Sequence, residues 1–325
     1  MRNQKNIEFG ALKIFAAVAD SETLTKAAEQ LGITQSAVSQ AIKKLETGLC
    51  TELIVRRSRP TKLTSGGEIL KNYTRHVLAE THRMQTDIGM MSRNKVTQLR
   101  VGMIDSFGDV ISLEFVQNIK PFAERLSLRT GVAAPLSKAF IDRDLDMLIT
   151  SDPLEEHTDL ARFPILRDPF VMIVPENCSK EGSVSPQWLA KNVPFVHYSR
   201  ETRIGMLTNV IAHRLNIKLN TYYELDSTQT LLRFVQSGQG WAITTGICLL
   251  RYTDLLQGIR ILPLANGANA RYLSLLCRAG ELGELPINAT EICKDIYTAN
   301  LIPKLENIGP WLSKQSHIIS ELPII

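Results

Sequence analysis

The stretch TLTKAAEQLGITQSAVSQAIKKLE, Thr23 to Glu46, constrains this chain most. Leu24, Ala27, Ala28 and Leu31 recur at i, i+3, i+4 and i+7, the apolar stripe of a short helix. Gly32 ends that helix, and Thr34 is a natural N-cap for the next. At about 100° per residue, Gln35, Ser36, Ser39, Gln40 and Lys43 fall within an arc of about 140° on the second helix. Ala37, Val38, Ala41, Ile42 and Leu45 fall opposite. Two helices joined by a tight glycine turn form a helix-turn-helix, and the small alanines allow them to approach closely. A solvated helix face carries Glu/Lys pairs. This one offers amides, hydroxyls and one lysine, groups that pair with base edges and phosphates.

The segment just beyond agrees. LIVRRSRPTKLT sets Arg56, Arg57, Arg59 and Lys62 around a proline-containing turn. A basic hairpin beside a helix-turn-helix reads as a wing for phosphates or the minor groove. Residues 1–95 carry 15 Lys and Arg against 9 Asp and Glu, and the remainder carries 22 against 24. The overall +4 therefore hides a basic N-terminal quarter, which points to a polyanionic partner at that end.

From LKIFAAVADSETLTKAAEQLGITQSAVSQAIKKLE through LTSGGEIL the sequence resembles the LysR-type transcriptional regulators. It departs from them at Cys50, usually Gly, and at Ile54, usually Phe. Ser36 and Ser65 stand where Pro is frequent, and Gly66 where Ala is usual. The resemblance implies a non-enzymatic regulator on a dyad-symmetric double-stranded DNA operator. Thr34, Gln35, Ser36, Ser39, Gln40, Lys43, Arg56, Arg57, Arg59 and Lys62 would be its DNA-binding residues. It also implies RNA polymerase as a partner and assembly as a homodimer and homotetramer.

Ile69, Leu70, Tyr73, Val77, Met84, Ile88 and Met91 recur at spacings near three and four with no intervening proline. This predicts a long amphipathic helix over about Thr64–Ser92 that packs on another helix. In the family it is the linker helix that pairs two subunits. SRNKVTQ then reads as a polar hinge.

The remainder alternates strands and helices, which predicts a parallel sheet. Strands are expected at LRVGMI, LSLRTGV, DLDMLIT, DPFVMIVP, PFVHYS, TYYEL, WAITT and RYLSLLCR. The order resembles the LysR effector-binding domain, which shares its fold with periplasmic binding proteins. The expected fold class is therefore α/β, with an N-terminal all-α winged helix-turn-helix, a long linker helix and a C-terminal two-lobed α/β effector-binding domain. The corresponding boundaries are 1–63, 64–95 and 96–305, with a tail at 306–325. One lobe takes about 96–165 and 267–305, the other about 166–266.

Open α/β sheets bind ligands beyond the carboxyl ends of their strands. Those ends supply Ser106, Phe107, Thr150, Ser151, Ser199, Arg200, Thr202, Thr228, Thr244 and Thr245 as effector-binding candidates, nearly all of them hydroxylated. Several precede a helix, where free N–H groups favour anions. The family's effectors, often small carboxylates or aromatics, bind in the same loops. Thr245 departs from a common Pro.

Other classes fare worse. No apolar run of about 18 residues or more would span a membrane, and the N-terminus lacks a signal-peptide core. Five scattered cysteines, never spaced CxxC, suit reduced thiols in a cytoplasm and no metal site or disulfide framework. The histidines lack metal spacing, no nucleophile elbow occurs, and the GxG of SGQGWA sits helix-to-strand, the reverse of a dinucleotide site. No cofactor is expected. Cys248 reads either as a redox sensor in a pocket wall or, given its apolar flanks, as an inert buried thiol, the favoured reading. Two rivals remain: a ligand-free architectural DNA-binding protein and a DNA-tethered enzyme.

Overall fold

The computed structural model describes residues 7–55, 58, 60–93, 95–178, 184–264 and 269–322, without the side chains of residues 82, 83, 86, 87 and 89–93. The chain forms two compact units that divide near Gln85.

The N-terminal unit contains α1 (Phe9–Ala19), α2 (Leu24–Leu31), α3 (Gln35–Leu49) and most of α4 (Ser65–Arg93). Local chemistry sets each boundary. The Thr23 hydroxyl accepts the Lys26 N–H at 3.1 Å, and the Thr34 hydroxyl accepts that of Ala37 at 3.2 Å. Gly32 closes α2 at φ 66°. Cys50 closes α3 at φ 53°, a left-handed cap that a Cβ disfavours. Phe15, Val18, Ala27, Val38, Ile42 and Leu53 fill the core. A short hairpin follows, held by Val55 N–H to Lys62 O at 2.8 Å and Thr64 N–H to Leu53 O at 3.0 Å. A Cβ on Gly67 would lie 2.1 Å from the Leu53 carbonyl oxygen, so the first turn of α4 requires glycine to sit against this hairpin.

The second unit runs β1 (Val96–Ile104), α5 (Asp105–Ile119), β2 (Ala123–Gly131), α6 (Ala133–Ile141), β3 (Met147–Thr150) and β4 (Leu160–Pro175). It continues α7 (Pro186–Asn192), β5 (Phe195–Tyr198), α8 (Arg203–Arg214), β6 (Thr221–Leu225), α9 (Thr228–Gln236), β7 (Ala242–Thr245), α10 (Gly246–Leu250) and β8 (Ile259–Pro263). It ends with β9 (Ala270–Arg278), α11 (Leu285–Ile296), α12 (Ile302–Ile308), α13 (Pro310–Gln315) and β10 (His317–Ile318). One sheet has the order β10-β4-β9-β3-β1-β2. In the other, β7 and β8 flank the far half of β4, and β5 joins β7 to β6 through the Phe195–Trp241 bridge. The long strand β4 belongs to both.

The expected parallel sheet is corrected to a mixed one. β1, β2 and β3 pair in parallel, but β9 is antiparallel to β3 and β4. Chain direction reverses where β4 and β9 carry the backbone between the sheets. The expected hinge at SRNKVTQ is also shorter, because Val96–Gln98 already belong to β1.

The tail, for which sequence offered no role, is folded. Leu312 is fully buried, and a Cβ on Gly246 would lie 3.2 Å from it and from Leu305, just before the tail. β10 pairs with Leu166 and Arg167 of β4, and Ser316 Oγ accepts from Tyr297 Oη at 2.5 Å. No helix among the described residues is long and apolar enough to cross a membrane.

Candidate nucleic-acid interface and ligand cavity

On α3, Gln35, Ser36, Gln40 and Lys43 are exposed and Ser39 is half-buried. Val38, Ile42 and Leu45 of the opposite face are buried in the core. The sequence-predicted polar arc is thus a surface backed by tight packing, which holds it rigid. The Gln35 amide donates to Ser39 Oγ at 3.1 Å, one turn on, so these two side chains are pre-oriented together. Thr34 is exposed, but its hydroxyl oxygen already caps the helix. Ala37, expected on the apolar side, is exposed at the edge of the arc. Lys62 is exposed on the hairpin; Arg56, Arg57 and Arg59 lie outside the described residues.

In the second unit a cavity of about 660 Å³ collects the starts of four helices. Asp105 and Ser106 come from α5, Ala133 and Ala134 from α6, Thr202 and Arg203 from the start of α8, and Ser227 and Thr228 from that of α9. The first N–H groups of each helix lack intrahelical acceptors and carry the positive end of its dipole. Gly205 makes one approach possible: a Cβ there would lie 2.2 Å from the Ser199 carbonyl oxygen.

Two arginines line this cavity and also a second one of about 440 Å³. Arg271 is 5% exposed; its Nε donates to Asp168 Oδ2 at 2.8 Å and its Nη2 to Ser106 Oγ at 3.0 Å. Burial opposes the charge of Arg271, but Cys248 and Asp168 outweigh it and hold the guanidinium above its ordinary pKa. Arg203 has no ion pair among the described residues, and its buried Nε has no hydrogen-bond partner. An unpaired buried donor costs about 1–3 kcal/mol. Three carboxylates, Asp105, Glu201 and Asp226, line the larger cavity too, which disfavours a multiply charged anion. Tyr198 Oη bonds Thr228 and Thr244, each at 2.9 Å, and burial raises its pKa, so the wall keeps a neutral phenol.

The predicted effector residues divide. Ser106, Ser151, Ser199, Thr202 and Thr228 line the larger cavity, and Thr150 and Ser151 line the second. Four stand off both walls. Phe107 is fully buried in the hydrophobic core. Arg200 pairs with Glu224, whose Oε1 accepts its N–H at 3.0 Å. Thr244 and Thr245 are fully buried because the end of β7 pairs with β4. Thr245 Oγ1 has no partner there. Sequence reasoning missed Arg271, Asp168 and Arg251. Lone opposite charges at the heads of the apolar runs RYLSLLC and DPFVMIV were the available signal. Cys248 is buried and lies on the cavity wall, with Sγ 3.6 Å from Arg271 Nη2.

A winged helix-turn-helix on a chain that also carries a two-sheet, cavity-bearing α/β unit defines a ligand-responsive DNA-binding regulator. Comparison with known proteins makes the class specific. Residues 9–68 match the bacterial regulatory helix-turn-helix protein family of lysR type, and residues 92–289 match the LysR substrate binding domain. The chain belongs to the LysR family of transcriptional regulators. It is 28% identical over 239 residues to the HTH-type transcriptional regulator YofA of Bacillus subtilis, covering 73% of this chain and 81% of that one. It is 26% identical over 285 residues to a probable RuBisCO transcriptional regulator of Phaeodactylum tricornutum, covering 82% and 89%. In fold it is similar to a full-length OxyR variant from Pseudomonas aeruginosa, at TM-score 0.70, 18% identity and 98% and 99% coverage. It is also similar to CbnR complexed with its target DNA, at TM-score 0.63, 16% identity and 89% and 99% coverage.

Proposed function

We propose that α3 enters the major groove of a dyad-symmetric operator, with Gln35, Ser36, Ser39, Gln40 and Lys43 facing base edges and Thr34 fixing the helix start. Arg56, Arg57, Arg59 and Lys62 hold the flanking phosphates. Residues 1–63 act as the DNA-binding domain, 64–95 as the linker and 96–305 as the effector-binding domain. Two subunits pair through α4, which leaves Ile69, Tyr73, Val77, Met84 and Ile88 exposed along its length. Pairs of dimers form the tetramer, and the protein contacts RNA polymerase in the cytoplasm without catalysing a reaction. The effector is a small monoanion. The observation that carries this reading is the cavity where four helix N-termini meet Arg203 and Arg271.

The test is fluorescence anisotropy of the full-length protein on an operator duplex and a random duplex, with and without a panel of small carboxylates. One carboxylate should shift operator affinity and leave random-duplex affinity unchanged. Gln40→Ala should relax sequence preference by about 1–3 kcal/mol, while Lys62→Ala should weaken all duplexes alike and flatten the salt slope. Equal loss on both duplexes for both variants would sink the division into readers and holders.

A further inference from the structure

The smaller cavity shares Ser151, Arg203 and Arg271 with the larger one. Its character differs. Phe170, Leu207, Val210 and Ile211 wall it, from β4 and one face of α8. Leu322 of the C-terminal tail adds a further apolar wall. That leucine is brought there by a built connection. β10 pairs with β4, the Ile319 N–H donates to Ile165 O at 3.1 Å, and Arg167 Nη1 donates to Gln315 O at 2.6 Å.

We infer that the two cavities form one bipartite site for an amphipathic monoanion. Its carboxylate sits at the helix N-termini beside Arg203 and Arg271, and its apolar chain lies in the chamber of Phe170, Leu207 and Val210. The C-terminal tail, through Leu322, is then a specificity element. This rests on the anion reading of the larger cavity. Arg203 and Arg271 line both cavities, so a carboxylate beside them stands between the two, and the smaller volume offers apolar contact. Arg214 and Glu155 at its lining supply one charge of each sign, so beyond the shared arginines the chamber carries no net charge.

The test uses the full-length protein and two probes, acetate and hexanoate, titrated by isothermal calorimetry. Hexanoate should bind at least about tenfold more tightly than acetate, because its added methylenes leave water. Val210→Trp, at a half-exposed position that tolerates bulk, fills the chamber. It should remove the hexanoate advantage and leave acetate affinity as it was. A chain ending at Ser320 should lose part of the same advantage, again without change for acetate. If acetate and hexanoate bind equally, the bipartite site is wrong and the anion cavity stands. If hexanoate keeps its advantage in Val210→Trp, the chain lies elsewhere and the inference is overturned. If neither probe binds and Arg271→Met behaves as wild type, both the anion reading and this inference fall.

Discussion

Asp168 and Arg271 face each other across β4 and β9, 0% and 5% exposed. The carboxylate takes the Arg271 Nε at 2.8 Å on one oxygen and the Ile247 N–H at 3.1 Å on the other. Asp168→Ala deletes both acceptors and strands a buried guanidinium. Breaking a buried pair on one side costs roughly 3–5 kcal/mol. Adding Arg271→Met removes the stranded charge and leaves an apolar chain in its place. The double variant should lose only about 1–2 kcal/mol, mostly to imperfect packing. The coupling in the cycle is then at least about 2 kcal/mol. Urea unfolding read by tryptophan fluorescence measures it cleanly, because the three tryptophans, Trp188, Trp241 and Trp311, all lie in the second unit. With a slope of about 2–3 kcal/mol/M, Asp168→Ala should lower the midpoint by roughly 1–2.5 M. A loss below about 1 kcal/mol for Asp168→Ala would refute the argument, because the charge would then be solvated or paired elsewhere. So would a double variant that loses the sum of its singles.

Cys50→Gly should stabilise the N-terminal unit by about 0.5–1 kcal/mol in thermal unfolding, since Cys50 holds φ 53° without a glycine's freedom. Thr245→Val should add about 1 kcal/mol to the urea stability of the second unit, because it deletes a buried hydroxyl that has no partner. In thiol labelling at pH 8, exposed Cys50 should react first and half-buried Cys178, whose thiol burial pushes up, more slowly. Cys277, pushed up by burial to about 11, and Cys293, pushed higher still by burial, should label only after unfolding. Tyr73→Asp, on the exposed stripe of α4, should shift sedimentation toward monomer while the helical circular dichroism stays near wild type.

The N-terminal unit was legible almost residue by residue, because its rules are local. Thr23, Gly32 and Thr34 mark helix ends by their own chemistry, and the spacing of Ile69, Tyr73 and Val77 announces α4. The second unit was legible in its strands and not in how they join. The first half of β4, LARFPILR, contains Pro164, which reads as a break; the structure absorbs it in a register shift between Pro164 and Leu166. Serines and threonines at strand ends led to one wall of the cavity. The arginine that organises it did not stand out, because its partner lies 103 residues away and the pairing exists only once β4 and β9 are in register. Thr244 and Thr245 misled for the converse reason: a strand end need not open on the cleft when a neighbouring strand covers it.

The double crossing of β4 and β9 also dictates an order of assembly during synthesis. The sheet of β5, β6, β7 and β8 needs only β4 and the chain up to Pro263, so it can close as soon as that segment clears the ribosome. The sheet begun by β1, β2 and β3 must wait with β3 unpaired on one side until β9 emerges, and its far edge waits for β10. The earliest strands translated in this unit are therefore among the last to be completed. During that interval an apolar strand edge stands open, so the nascent chain is most exposed to misassociation between the emergence of β3 and that of β9. Slow codons placed between β8 and β9 would lengthen the interval, and the damage should appear as aggregated chains lacking only the final segment's folding.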